Sequence, residues 1–182
     1  MFAEHIIGTG DTSLQRRVVE LSVAAGKRLA TAESCTGGLI AALLTEVPGA
    51  SQAFDAGFVT YSNRIKECVL GVAADTLASH GAVSEAVVRE MAQGALARSG
   101  ADYAVAVSGV AGPDGGTPDK PVGTVWIAWG GVDRLRAREL WFPVARKLFQ
   151  TMVAATALDL LRRELLGIET EPRYFRERSR RR

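Results

Sequence analysis

Apolar positions recur along the chain in two rhythms, and their alternation outlines a fold. Behind a cap at Asp11 or Thr12, the residues Leu14, Val18, Leu21 and Ala25 fall at helical spacing, and Gly26 ends the run. Residues 29–32 follow as a short strand that leads into the polar stretch Glu33-Ser34-Cys35-Thr36-Gly37-Gly38. Residues 39–44 read as a buried helix ended by Pro48-Gly49, and residues 54–61 as a strand with Phe58, Val59 and Tyr61 as its β-type residues. Ser62 caps a short helix through Val69. Ser84 caps a longer one, whose stripe of Val87, Val88, Met91, Ala95 and Leu96 runs up to Gly100. Residues 103–107 are almost wholly apolar, as a strand covered on both faces requires. Residues 122–129 and 135–142 read as two strands joined by a turn at Gly130-Gly131, and a last helix covers 147–166.

This order predicts an α/β sandwich with a mixed sheet, the final hairpin forcing one antiparallel strand. No repeat or internal linker divides the 182 residues, so residues 1–172 form one domain and 173–182 a tail.

Composition supports a packed core, because 47% of residues are hydrophobic and 23% charged. No stretch approaches a membrane span, and Met1-Phe2-Ala3-Glu4-His5 lacks a basic leader region, so neither export nor membrane insertion is expected. Two cysteines, Cys35 and Cys68, and two distant histidines, His5 and His80, supply neither a disulfide framework nor a zinc site. The expectation is a cytoplasmic protein that uses no metal and no cofactor. The net charge of +2 hides an asymmetry: six of the 22 basic residues, but one of the 20 acidic ones, lie in 173–182. The body is therefore net acidic, which speaks against a nucleic-acid partner, and the arginine-rich tail is expected to be a solvated extension.

Common catalytic signatures fail. There is no phosphate-binding G-x-x-x-x-G-K-[ST], Gly8-Thr9-Gly10 is no dinucleotide fingerprint, and Ser108 follows Ala106 where a hydrolase elbow has glycine. Three polar clusters remain, each at the end of a predicted strand, where ligands bind in open α/β sheets. Ser34 with Thr36, Gly37 and Gly38 offers a hydroxyl and backbone N–H groups at a helix start, which suits a phosphate or an oxyanion. Ordinary helix capping is the plain alternative. Tyr61-Ser62-Asn63-Arg64-Ile65-Lys66 adds a lysine, which can serve as a proton acceptor for serine once desolvated. Ser62 and Lys66 share a helix face, so they are one possible pair. The third cluster is the 14-residue loop 108–121, with Ser108, Gly115, Gly116 and Lys120, long enough to suggest a functional loop.

Taken together, these residues resemble a known family. Ala32-Glu33-Ser34-Cys35-Thr36-Gly37-Gly38, Val47-Pro48-Gly49-Ala50-Ser51, Tyr61-Ser62-Asn63 with Lys66, and Ser108-Gly109-Val110-Ala111-Gly112-Pro113 through Lys120-Pro121-Val122-Gly123-Thr124 look like the C-terminal domain of the competence/damage-inducible CinA proteins. The resemblance spans about residues 12–166. It implies a three-layer α/β/α sandwich with a five-stranded, mixed and mostly parallel sheet similar to the anticodon-binding-domain-like fold, and a homo-oligomer, commonly a dimer. It further implies deamidation of nicotinamide mononucleotide to nicotinate mononucleotide and ammonia, the activity of stand-alone members. Carried onto this chain, it points to Ser34 as nucleophile, Lys66 as its base and Tyr61 as a third polar partner. Thr36, Gly37, Gly38, Ser108, Gly115, Gly116, Lys120 and Arg146 are then the substrate-binding candidates. Ser108 stands where many relatives have threonine. Val144-Ala145-Arg146 replaces the frequent Gly-Asp-Arg, so the arginine is kept without its acidic neighbour.

Rival readings remain at this level. Glu33, Cys35 and Lys66 contain the residue types of a thiol amidase, in which Cys35 is the nucleophile. A Ser62–Lys66 pair is a second alternative. A nucleotide-binding or interaction module without turnover, and an RNA-binding domain suggested by the arginine tail, lie outside the enzyme class.

Overall fold

The structure is a computed structural model that describes residues 12–179. His5, Gly8-Thr9-Gly10, Asp11 and the last three arginines lie outside the described residues. The first helix, α1, spans Leu14–Ala25, and its cap is Ser13, whose hydroxyl accepts from the Arg16 N–H, rather than Thr12. Then follow β1 (Leu29–Glu33), α2 (Leu39–Thr45), a single 3-10 turn at Ala50–Gln52, and β2 (Phe54–Val59). The chain continues through α3 (Asn63–Leu70), α4 (Ala74–His80), α5 (Glu85–Ser99), β3 (Tyr103–Gly109), β4 (Thr124–Gly131) and β5 (Arg134–Trp141). It closes with α6 (Arg146–Leu165) and α7 (Arg173–Glu177).

The five strands form one sheet in the order β2-β1-β3-β4-β5. β1 pairs in parallel with both β2 and β3, while β4 runs antiparallel to β3 and β5. Four strands therefore point one way and only β4 opposes them, the mostly parallel mixed sheet expected. α1, α2 and α6 pack on one face around Leu29, Val105, Ile127, Phe149 and Leu158. α3, α4 and α5 cover the other around Ala30, Ala104, Val88, Met91 and Leu77. Among the described residues, no helix is long and apolar enough to cross a membrane.

Two elements depart from the pattern in the sequence. The β4–β5 turn falls at Val132-Asp133, and Gly130 and Gly131 lie inside the ladder, opposite Leu135 and Arg134. Gly130 has φ 131°, and a Cβ there would sit 2.1 Å from the Arg134 carbonyl oxygen, so this glycine serves close strand approach rather than reversal. α4 is an extra helix without a side-chain cap, too short to show a periodic stripe. Gly94 has a related use. A Cβ there would lie 2.0 Å from the Leu70 carbonyl oxygen, so the missing side chain lets α3 settle directly on α5. That seating fixes the depth of Lys66, four residues before Leu70.

The tail is not a solvated extension over 173–179. Phe175 is buried, meets Trp129 edge-to-face at 5.9 Å, and carries the Arg138 guanidinium over its ring at 5.0 Å. The Tyr174 hydroxyl donates to Asp159 at 2.9 Å, and the Trp141 N–H donates to the Arg178 carbonyl at 2.9 Å. The cause is the edge position of β5, which leaves a backbone donor and an apolar surface to be covered. Truncation after residue 172 should therefore lower the melting temperature. Phe175→Ala alone should remove about 3 kcal/mol, as for other buried Phe→Ala changes. Urea unfolding of the two variants tests this, and unchanged midpoints would show that the segment is solvated after all.

Candidate active site

β1, β2 and β3 end on the same side of the sheet, and the chain leaves each of them into the same cleft. Beyond β1 comes Ser34, beyond β2 come Thr60 and Tyr61, and Ser108 lies near the end of β3. The cleft holds about 230 Å³ and is lined by Ser34, Cys35, Tyr61, Asn63, Lys66, Ala82, Val83, Ser108, Gly109, Ala111 and Arg146.

Lys66 is the central group. Ser62 caps α3 by accepting from the Ile65 N–H, which aims the first turn so that Lys66 points inward. Its side chain is 1% exposed. Its Nζ donates to the Thr60 carbonyl at 2.8 Å and lies 3.1 Å from Ser34 Oγ. Burial lowers the Lys66 pKa from its ordinary value, opposed by the Coulombic influence of Cys35. The desolvation expected from the sequence is what lowers it. Ser62 is occupied with its capping role, so the geometry selects Ser34 as the serine partner of Lys66.

Cys35 lies beside Ser34 but is poorly suited to act as a thiolate. Burial pushes its thiol up to about 12, and the Glu33 carboxylate works in the same direction. Glu33 itself is fully buried. Its carboxylate accepts from the Thr36 hydroxyl at 2.7 Å and from the N–H groups of Gly38, Ile40 and Ala41 at 3.1, 3.0 and 2.8 Å. The N-terminus of α2, read from sequence as an anion pocket around Thr36, Gly37 and Gly38, is thus filled by the chain's own side chain. The Gly37 N–H is taken by the Ser34 carbonyl.

Tyr61 is 59% exposed, and its hydroxyl meets Arg146 Nη2 at 2.7 Å rather than Lys66. Arg146 also donates to the Gly112 carbonyl at 3.0 Å. These two contacts hold a guanidinium that lacks an acidic neighbour in sequence. Ser108 lines the cleft and donates to the Ala82 carbonyl at 2.8 Å, which ties the end of β3 to the segment between α4 and α5.

The remaining candidates lie elsewhere. Gly115 and Gly116 stay on the exposed part of the loop. Lys120 reaches the His80 carbonyl at 2.6 Å and faces a separate, open hollow of about 920 Å³ shared with Glu85, Asp119 and Glu139. The larger hollow mixes both charges and holds neither Ser34 nor Lys66. Sequence reasoning missed Asn63, Ala82, Val83, Gly109 and Ala111 as cleft residues. Asn63 was signalled by its place between Ser62 and Lys66, whereas the other four carry no polar side chain to attract notice.

The fold and site define an α/β protein whose cleft, at the carboxyl ends of parallel strands, holds a serine hydroxyl against a buried lysine. A family profile described as the CinA C-terminal domain matches residues 11–165, and the chain belongs to that family. It is 55% identical over 152 residues to a CinA-like protein of Colwellia psychrerythraea, covering 84% of this chain and 35% of that relative. It is 52% identical over 157 residues to a CinA-like protein of Akkermansia muciniphila, covering 85% and 37%. The chain thus spans little more than a third of the length of these curated relatives. Among solved structures, a competence-damaged protein (CinA) superfamily protein from Klebsiella pneumoniae superposes with TM-score 0.82 at 42% identity, covering 85% of this chain and 96% of that one. The competence/damage inducible protein CihA from Agrobacterium tumefaciens gives TM-score 0.79 at 45% identity, covering 81% and 91%.

The burial of Lys66 has a consequence for stability. Its pKa is lower folded than unfolded, so between the lowered value and the ordinary 10.5 the unfolded chain binds more protons. Stability contributed through this group therefore rises with pH across that window. Lys66→Met should flatten the rise, as read from urea midpoints at a series of alkaline pH values. Parallel profiles for the two proteins would contradict a desolvated amine.

Proposed function

We propose that the chain is an amidohydrolase that deamidates nicotinamide mononucleotide, with Ser34 and Lys66 as its catalytic pair. The observation that carries this reading is the buried Lys66 Nζ 3.1 Å from Ser34 Oγ, beside an open cleft. The family resemblance supplies the substrate.

Neutral Lys66 takes the Ser34 proton as Oγ attacks the carboxamide carbon. The carbonyl π electrons move onto oxygen, which backbone donors at the turn after Ser34 stabilise. Lys66 then hands the proton to the nitrogen, the C–N bond breaks, and ammonia leaves an ester on Ser34. Water, deprotonated by the same amine, hydrolyses the ester and restores the serine. Arg146, held by Tyr61 and the Gly112 carbonyl, is placed at the rim to receive the substrate phosphate with its planar fork of donors. Tyr61 acts through Arg146, so its role is to position the guanidinium.

Ammonia release from nicotinamide mononucleotide by the purified chain is the test. Stoichiometric binding without ammonia would replace this reading with that of a silent binding module. Ser34→Ala and Lys66→Ala should each lower kcat on the order of a thousandfold, and the double variant little further, because the pair works as a unit. Turnover should climb with pH through the lowered Lys66 pKa and survive a chelator. Near-normal rates in Ser34→Ala with loss in Cys35→Ser would move the nucleophile to the thiol.

The phosphate assignment is separable. Arg146→Ala should raise KM more than it lowers kcat, and Tyr61→Phe should do the same to a smaller extent. Free nicotinamide should be a much poorer substrate than its mononucleotide. Equal kcat/KM for the two would remove the phosphate-anchoring role.

A further inference from the structure

Glu33 is the most completely hydrogen-bonded buried charge near the cleft, yet it does not line it. It is the last residue of β1, and Ser34 follows directly. Oε2 accepts from the Thr36 hydroxyl at 2.7 Å, the Gly38 N–H at 3.1 Å and the Ile40 N–H at 3.0 Å. Oε1 accepts from the Ala41 N–H at 2.8 Å and the Thr31 hydroxyl at 3.4 Å. One carboxylate thus ties the strand before Ser34 to the turn and helix after it. A seven-residue helix such as α2 needs no buried charge to be capped, since a surface serine or asparagine would do. Burial of a carboxylate with five donors instead fixes relative position.

The same contacts determine which donors remain beside the serine. The Ser34 N–H is bound to the Val107 carbonyl at 3.0 Å, the Gly37 N–H to the Ser34 carbonyl at 3.1 Å, and the Gly38 N–H to Glu33. The Thr36 N–H finds no acceptor among the described residues, and the Cys35 N–H meets no acceptor but its own thiol.

We propose that Glu33 is the positioning residue of the site: it holds the 34–38 turn so that Ser34 Oγ meets Lys66 and the Cys35 and Thr36 N–H groups stand ready for the oxyanion. This rests on the Ser34–Lys66 reading but not on the identity of the substrate. Glu33 acts through geometry, because all five of its contacts lie within residues 31–41 and none reaches Lys66, whose partners are Ser34 and the Thr60 carbonyl.

A fluorophosphonate probe tests this without the substrate: Ser34 Oγ bonds to phosphorus, fluoride leaves, and the serine proton passes to Lys66. The labelling rate of the full chain is followed by intact mass across pH, beside the melting temperature. Glu33→Gln sets an amide NH₂ among the five donors, so the turn should open. The labelling rate should fall on the order of a hundredfold at every pH, as for a comparable misplacement of reacting groups. The pH midpoint should stay unchanged. Thr36→Val, which removes one donor and keeps the charge, should lower the rate severalfold and serves if Glu33→Gln does not fold. A lowered melting temperature with wild-type labelling well below it would reduce Glu33 to a structural cap and overturn the proposal. A shifted pH midpoint would make its role electrostatic and overturn it too. Failure of the wild-type chain to label at Ser34 would instead overturn the serine–lysine reading, and this proposal with it.

Discussion

A lysine amine taken out of water and set against a serine hydroxyl is unfavourable while it stays charged, and much of the architecture around the cleft serves to keep it there. Lys66 projects inward from α3, and α3 reaches its depth because Gly94 of α5 offers no side chain to hold Leu70 away. The Thr60 carbonyl, just past the end of β2, gives the amine one fixed acceptor, and Ser34, just past β1, gives it the other. Desolvation lowers the lysine pKa, which is the direction that the proposed role as a base requires. The parallel arrangement of β1, β2 and β3 makes this possible, since their carboxyl ends open on one side of the sheet.

The hydrogen bonds around the cleft follow from that constraint. Several polar residues nearby are tied to backbone or to another side chain: Ser108 to Ala82, Arg146 to Gly112 and Tyr61, Glu33 to the start of α2. Such ties cost little reorganisation when charge develops, which is how a fixed site outperforms water around a reacting carbonyl. They also narrow the anion-binding reading of the Thr36-Gly37-Gly38 turn to its inner N–H groups. Its outer donors already have a carboxylate, supplied from within the strand that precedes them.

Local signals carried much of the fold. Ser62 and Ser84 cap the helices expected of them, Gly26 and Gly100 end theirs, and the apolar run from Tyr103 becomes the central β3. Features set by contacts distant in sequence did not show. Gly130 looked like a turn because composition cannot distinguish a reversal from close strand approach. The 173–179 segment looked solvated because the six arginines of 173–182 outweighed Phe175, whose partners Trp129 and Arg138 lie more than 35 positions away. In the site, Ser34 and Lys66 were legible through the family resemblance, but their meeting across 32 positions is a product of the sheet. Lys120 failed as a site residue for the same reason: its loop turns toward His80 rather than toward the cleft.

The central claim is that Ser34 carries the acyl group during amide hydrolysis with Lys66 as its base. Rapid-quench peptide mass spectrometry during turnover of nicotinamide mononucleotide tests it most directly. The account predicts a transient ester on the peptide containing Ser34, localised by fragmentation to the serine, which accumulates in wild type and is absent from Lys66→Met. An adduct localised to Cys35, or ammonia released in a burst with no acylated peptide at any time, would contradict it.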